Sequence, residues 1–286
     1  MRATFIVRHG QTRLLGEFLS PSGREFTRDQ KVIIRTERGI ELGEVLCPAT
    51  ERTARFLESP GRGEIVRDAN EADFAHHDEL LKVQAEAMHV CLELIGTRKL
   101  QMNLVDVEAI LGGERLIFYY LAEKRVDFRD LVKDLARAFH SRIEMRQVGI
   151  RDEAKLLADY GDCGKPVCCN THLSRMPPVS MRMAKLQKAT LDPTKISGRC
   201  GRLKCCLRYE YDTYQEHESE LPPIGSKVIT DRGEGRVLAL EILAKRVVVE
   251  FEDRRRVVLT PGEIKGVERP QRRPVKDDDD DDRVEL

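Results

Sequence analysis

Tryptophan is absent from the 286 residues, and aromatic side chains make up only 5% of them. Flat platforms on which nucleic-acid bases stack are built from such rings, so that mode of recognition is poorly supplied here. No apolar run approaches the roughly 18 residues that a membrane-spanning helix requires. The opening residues Met1–Gly10 carry Arg2, Arg8 and His9 and hold neither the apolar core nor the cleavage site of a secretory signal. A soluble cytoplasmic protein with no membrane span is expected. Also missing are a G-x-x-x-x-G-K-[ST] phosphate loop, a Rossmann glycine fingerprint and a serine-hydrolase elbow. Neither charge sign is in excess, at 49 basic against 49 acidic residues. That balance hides an asymmetry, because the ten residues from Asp277 to Leu286 carry six Asp, one Glu and one Arg. The basic excess left over concentrates in Arg142–Arg208, with 14 Lys/Arg against 6 Asp/Glu. Such a block can hold a polyanion, offset an anionic thiolate centre, or simply be a solvated face.

What the chain does have is cysteine in a repeated pattern. Cys163-Gly-Lys-Pro-Val-Cys168-Cys169 is matched about 30 residues on by Cys200-Gly-Arg-Leu-Lys-Cys205-Cys206, and these two C-G-x-x-x-C-C blocks hold six of the eight cysteines. In a reducing compartment, clustered thiols point to metal binding or redox chemistry more than to disulfides. Thiolates are soft ligands suited to zinc and to iron–sulfur clusters. The five-residue step from first to second cysteine departs from the C-x₂₋₄-C of zinc knuckles, which favours iron–sulfur over zinc. Six thiolates exceed the four that one tetrahedral zinc or one 4Fe–4S cluster takes. Inert burial and a thiol–disulfide switch are the other readings, although adjacent cysteines are poorly placed to bridge each other. Cys91 falls on an apolar helical face and reads as core.

The length accommodates two or three compact domains. Residues 1–70 form a β-rich N-terminal module. Lys31–Gly39 and Ile40–Leu46 read as strands around a Glu-Arg-Gly turn, and 47–70, with Pro48, Pro60, Gly61 and Gly63, reads as linker. Residues 71–160 read as an α+β layer, ferredoxin-like in element order. Leu81, Ala85, Met88, Leu92 and Ile95 give a helical stripe that Gly96 ends. Gln101–Ile110, with Val105, Val107 and Ala109 on one face, and Arg115–Leu121 make a hairpin across Gly112-Gly113. Asp127 is placed to cap a helix with the stripe Phe128, Leu131, Val132, Leu135 and Phe139, and Ile143–Ile150 is a third strand. Residues 161–216 form a loop-like, cysteine-rich cluster-binding segment whose one helix, Met181–Lys188, starts at Ser180. Four short strands over 217–268 suit a small C-terminal β-barrel. The Pro- and Asp-rich tail, 269–286, is disordered by composition.

Two further features compete for a function. Arg8-His9-Gly10 resembles the motif of histidine phosphatases, in which the histidine is a phosphoryl-accepting nucleophile. That fold needs a helix soon after the motif, parallel strands and a late second histidine; His172 and His217 do not sit in such a setting, and Gly16–Gly39 is β-like. An exposed Arg-His pair at a strand end is the simpler reading. Asp152-Glu153 and Asp159/Asp162 could be acid–base pairs, but solvated or helix-capping carboxylates are commoner at such positions.

Three stretches carry a resemblance. Val126-Asp-Phe-Arg-Asp-Leu-Val-Lys-Asp-Leu135, Gln147-Val-Gly-Ile-Arg-Asp-Glu-Ala-Lys155 and Pro193-Thr-Lys-Ile-Ser-Gly-Arg-Cys-Gly-Arg-Leu-Lys-Cys-Cys-Leu-Arg-Tyr-Glu210 closely resemble the bacterial RicT/YaaT family, which carries a PSP-one type domain. The resemblance runs from about residue 3 to 265 and is strongest over 100–211. It implies a non-enzymatic regulatory subunit that assembles with two small helical partners, RicA (YmcA) and RicF (YlbF). It further implies that the complex binds 4Fe–4S clusters through cysteines and influences messenger-RNA processing by the endoribonuclease RNase Y, and thereby sporulation, competence and biofilm development. Carried over residue by residue, the candidate ligands are Cys163, Cys168, Cys169, Cys200, Cys205 and Cys206. Arg199, Arg202, Lys204 and Arg208, interleaved with the second block, are candidate contacts to RNA or to an acidic partner. The alternatives are a zinc-stabilised RNA-binding module and a phosphatase using His9. The Asp277–Asp282 run is not a feature of that family.

Overall fold

The computed structural model describes residues 3–21, 23–54, 57, 60–157, 160–171, 173 and 177–268. The acidic tail expected to be disordered lies outside them. The chain divides into two compact units, Met1–Pro178 with Ser197–Cys205, and Val179–Ile196 with Cys206–Leu286. Among the described residues no helix is long and apolar enough to cross a membrane.

The first unit opens with β1 (Ala3–His9), β2 (Leu14–Ser20), β3 (Lys31–Thr36) and β4 (Gly39–Pro48), then a short α1 (Glu51–Ala54) and β5 (Gly61–Asp68). The five strands close into a barrel in the order β1-β2-β5-β3-β4. All pairs are antiparallel except β2 with β5. Alternate residues point inward, and Phe5, Val7, Phe18, Val32, Ile34, Val45 and Ile65 fill the interior. The stretch expected to be linker therefore supplies a barrel strand. Gly63 is there for close approach: a Cβ on it would lie 2.1 Å from the Arg35 carbonyl oxygen and 2.7 Å from the Phe18 ring.

A single helix, α2 (Glu71–Arg98), leads into the central layer, its start fixed by a capping box between Asn70 and Asp73. It does not end at Gly96; Lys99 caps it in the left-handed region at φ 52°, and the Leu100 N–H donates to the Ile95 carbonyl. The buried face is Leu80, Ala87, Cys91 and Ile95, whereas Leu81 and Leu92 are 44% and 47% exposed. Apolar residues occupy both sides of this helix, and the side with small Ala87 and Cys91 is the one that packs against the sheet.

Strands β6 (Asn103–Ala109) and β7 (Arg115–Leu121) form the expected hairpin; α3 (Arg129–Phe139) then crosses to β8 (Arg142–Gln147). A bulge between Leu104 and Asp106 turns Val105 and Val107 to opposite faces, against the single face expected. One face packs Val107, Leu116, Phe118 and Tyr120 against Leu131 and Leu135 of α3 and the buried side of α2. The other packs Val105, Ile117 and Tyr119 against Val148 and Leu156. The sheet has three strands, β6-β7-β8, with β8 parallel to β7, and is not ferredoxin-like. The strand that precedes α2, which such a topology would place in this sheet, is β5, and it belongs to the barrel.

Asp127 precedes the cap position taken by Phe128, and its carboxylate accepts from the Arg129 N–H at 3.2 Å. The third strand stops at Gln147, and Ile150 instead opens α4 (Ile150–Leu157), where the Asp152 carboxylate accepts from the Gly149 N–H at 3.4 Å. Asp152 thus has a capping role, while Asp159 lies outside the described residues. The unit's last helix is the one-turn α5 (Cys168–Thr171).

The second unit contains α6 (Met181–Leu186), α7 (Pro193–Ile196) and all but the first residue of α8 (Cys205–Ser219). Ser180 stands at the cap position of α6 without a side-chain hydrogen bond. The fifteen-residue α8 replaces the loop expected there; its charged and polar residues show no clean apolar stripe, and only Leu207 is buried. Then come β9 (Lys227–Thr230), β10 (Gly233–Glu241), β11 (Arg246–Phe251), β12 (Arg256–Leu259) and a fifth strand, β13 (Ile264–Glu268). They form an antiparallel sheet in the order β12-β11-β10-β9-β13. The expected small barrel is not closed, because the edge strands β12 and β13 do not pair. Val228, Val237, Val247, Val249 and Leu259 form its core, with Leu186 and Tyr214 packed against it.

Candidate metal centre

The repeated cysteine pattern is also a repeated fold. In the first block the Gly161 N–H donates to the Lys165 carbonyl at 2.8 Å, the Gly164 N–H donates to the Gly161 carbonyl at 3.0 Å, and Tyr160 bridges to Pro166. In the second, Gly198 donates to Arg202 at 2.8 Å, Gly201 donates to Gly198 at 2.9 Å, and Ser197 bridges to Leu203. Corresponding positions differ throughout by 37 in number. The residue after each first cysteine lies in the left-handed region, Gly164 at φ 73° and Gly201 at φ 72°, which explains glycine at both. Each first cysteine thus stands on a tight hairpin, and each second cysteine, Cys168 and Cys205, opens a helix.

Within the first unit the two hairpins are tied together. The Arg199 guanidinium donates to the Tyr160 carbonyl at 3.1 Å, and the Lys204 ammonium pairs with Asp162 at 3.4 Å. Cys163 is exposed, and Cys168, Cys169, Cys200, Cys205 and Cys206 are half-buried. Burial pushes the Cys169 thiol up, and neighbouring Cys205 and Cys200 push it further. Thiols from both blocks therefore lie within electrostatic reach of one another; Cys206 belongs to the second unit. Among the described residues no three Cys, His, Asp or Glu side chains stand close enough together to hold an ion. The donor set fits a thiophilic metal in chemistry and in turn geometry, and closing on one requires the thiols to approach further.

Of the four basic residues interleaved with the second block, Arg199 and Lys204 join the blocks as described. Arg208 pairs with Asp212 at 2.9 Å and lies over the Tyr211 ring, and Arg202 is exposed. Outside the blocks, Cys91 is fully buried in the central core, as its helical position implied, and burial raises its thiol to about 12.

The Arg8-His9 pair is not an exposed strand end. His9 is buried at the end of β1, and its Nδ1 meets Glu41 at 3.1 Å; a carboxylate only accepts, so that nitrogen carries the proton. Arg8 pairs with Glu44 at 2.8 Å. Gly10 turns the chain straight into antiparallel β2, so the setting of a histidine phosphatase is absent here. Instead His9 belongs to a buried polar network that the sequence did not reveal. The Thr36 hydroxyl donates to Glu41 at 2.5 Å, Arg38 pairs with Glu108 at 2.5 Å and approaches Glu41 at 3.5 Å, and the Tyr119 hydroxyl donates to Glu108 at 2.6 Å. Burial acts to raise the Glu41 carboxyl, but His9, Arg38 and Thr36 outweigh it and hold it below its ordinary value. The network joins the barrel to β6 and β7. A lone glutamate in a strand reads as solvent-facing, and Glu108 meets partners up to 97 positions away, so the sequence carries no signal for it.

The family profile described as the PSP1 C-terminal conserved region matches residues 63–148, from β5 to the end of the three-stranded sheet. A second, the third domain of PSP1-like proteins, matches residues 178–221, spanning α6 to α8. The stage 0 sporulation protein YaaT of Bacillus subtilis (strain 168) is 42% identical over 241 residues, covering 84% of this chain and 87% of that protein. An uncharacterized protein of Schizosaccharomyces pombe is 42% identical over 62 residues, 22% of this chain and 8% of its own length. No solved structure matches the chain. With both PSP1 regions present and the YaaT likeness covering 84% of the chain, the chain belongs to the PSP1 C-terminal region family, alongside YaaT.

Proposed function

We propose that this protein is a non-enzymatic regulatory subunit that holds an iron–sulfur cluster through its two cysteine blocks. In this reading it works in the cytoplasm, in a complex with two small helical proteins of the RicA (YmcA) and RicF (YlbF) kinds. The complex tunes messenger-RNA processing by an RNase Y-type endoribonuclease, and through it sporulation, competence and biofilm-like development. The observation that carries the reading is the pair of identically hydrogen-bonded C-G hairpins, each followed by two cysteines at a helix start, tied to one another by Arg199 and Lys204. Two equivalent half-sites offered side by side are what a thiolate centre needs. The YaaT likeness supports the link to sporulation, since that relative is named for it.

Cys163, Cys168, Cys169, Cys200, Cys205 and Cys206 would hold a 4Fe–4S cluster, with cysteines left over to be shared with partner chains. When bound, such a group supplies a redox-sensitive cross-link between the blocks. The chain's own residues set the hairpins, bury Cys169 and hold the blocks in register. Arg202 and Arg208 are the candidate contacts to RNA or an acidic partner; charge reversal at both that left binding intact would refute that role.

Zinc is the second reading, favoured by the two-by-two equivalence of Cys163 and Cys168 with Cys200 and Cys205, which makes four matched thiolates. Anaerobic purification with iron, sulfide and zinc analysis separates the two. Iron and sulfide in equal amounts, lost together in a Cys163→Ser/Cys200→Ser variant, support the cluster; stoichiometric zinc without sulfide sinks it. Co-purification from the native host tests the partners.

A further inference from the structure

The first unit contains a cavity of about 640 Å³ that the proposed function does not use. Its polar lining is lopsided in charge. Arg8, Arg13, Arg38, Arg62, Arg146 and Lys155 all line it, against the single carboxylate of Glu37. Two of these cations are already matched, Arg8 by Glu44 and Arg38 by Glu41 and Glu108. Among the described residues, no carboxylate lies within ion-pair distance of the other four. They come from four separate places: Arg13 from the β1–β2 turn, Arg62 from β5, Arg146 from β8 and Lys155 from α4. Like charges gathered in one recess repel each other unless an anion lies between them. Arginine forks pair with phosphate oxygens in twos, which is the chemistry three of these four side chains offer.

Leu14, Leu15, Leu46, Leu57, Pro60 and Leu173 give the wall an apolar part beside the polar His9, Thr36, Asn170 and Thr171. The volume falls in the range of small-molecule sites, roughly 300–1,000 Å³. Phe18 is the one Phe, Tyr or Trp among the lining residues, and it is fully buried in the barrel core, so successive bases of a nucleic-acid strand find no stacking surface here. We propose that this cavity binds a phosphate-bearing small molecule whose body is apolar or heteroaromatic, with Arg13, Arg62, Arg146 and Lys155 taking the phosphate. Cys169 and Asn170 also line the cavity, so an occupant adjoins the first cysteine block. The site goes beyond the regulatory reading and stands whether that centre holds iron–sulfur or zinc.

The test is calorimetric titration of the full chain at low salt with ADP, inorganic pyrophosphate, adenosine and a short single-stranded RNA. ADP and pyrophosphate are expected to bind at one site, weakening as salt rises, and adenosine not to bind at the same concentration. Arg62 and Arg146 are both exposed, so an Arg62→Ala/Arg146→Ala variant should retain its circular dichroism and melting temperature while losing about tenfold or more in ADP affinity. Failure of ADP to bind, or equal affinity in the double variant, overturns the proposal. RNA binding that is lost in the double variant and not displaced by ADP would assign the cavity to a nucleic acid and also overturn it.

Discussion

Arg38 stands between Glu41 on the barrel and Glu108 on the central sheet, with little solvent to replace either partner. Arg38→Ala removes the cation that two buried carboxylates share, leaving them only polar partners and His9, and should cost about 3 kcal/mol or more in urea denaturation. The same network sets an acid limit. Because the folded state holds Glu41 below the ordinary glutamate value of 4.5, its stabilisation is complete above that pH and is lost as pH falls through the depressed folded value. The urea midpoint should therefore drop on acidification below about 4.5, with a shallower drop in Glu41→Gln. Cysteine reactivity divides by burial. With its thiol raised to about 12, Cys91 should resist alkylation at pH 8 in the folded protein, whereas exposed Cys163 should be labelled quickly; mass spectrometry of the labelled peptides reads this directly.

At the scale of elements, strands and turns follow their local chemistry. Gly164 and Gly201 occupy equivalent positive-φ positions with open space around a Cβ, so Ala at either adds backbone strain without a clash. Each substitution should cost about 1 kcal/mol, and equally at the two sites, by chemical denaturation. The β3–β4 hairpin, the β6–β7 hairpin, α3 and β9 to β12 were legible because alternation and turn residues act over a few neighbours. β5 was not, since Pro60, Gly61 and Gly63 read as linker and only the Phe18 ring and the Arg35 carbonyl explain the glycine at 63. The packed face of α2 is hidden in the sequence for a similar reason. Apolar residues lie on both its sides, and contact with the sheet chose the one with Ala87 and Cys91.

For the molecule as a whole, the barrel, the central layer and the C-terminal sheet each own an apolar core, while the cysteine hairpins rest on short turns and a few polar ties. Stripping bound metal with a chelator should thus raise amide hydrogen exchange in 160–171 and 197–205 and leave β1 to β8 protected. Equal protection in the hairpins before and after removal would show that metal does not hold them.

The cysteine repeat, its likeness to RicT/YaaT proteins and the order of most elements were determined by the sequence alone, because each rests on spacing, period or identity along the chain. Three things were decided only in three dimensions: β5 joining the barrel instead of the central sheet, the His9–Glu41–Arg38–Glu108–Tyr119 network, and the convergence of four cations from three elements and a turn on one cavity. All three depend on pairs far apart in the chain, where burial turns residues that look solvent-facing into partners. The cysteine blocks stand between these cases: their pattern is linear, but the ties through Arg199 and Lys204 that set one against the other exist only in the fold.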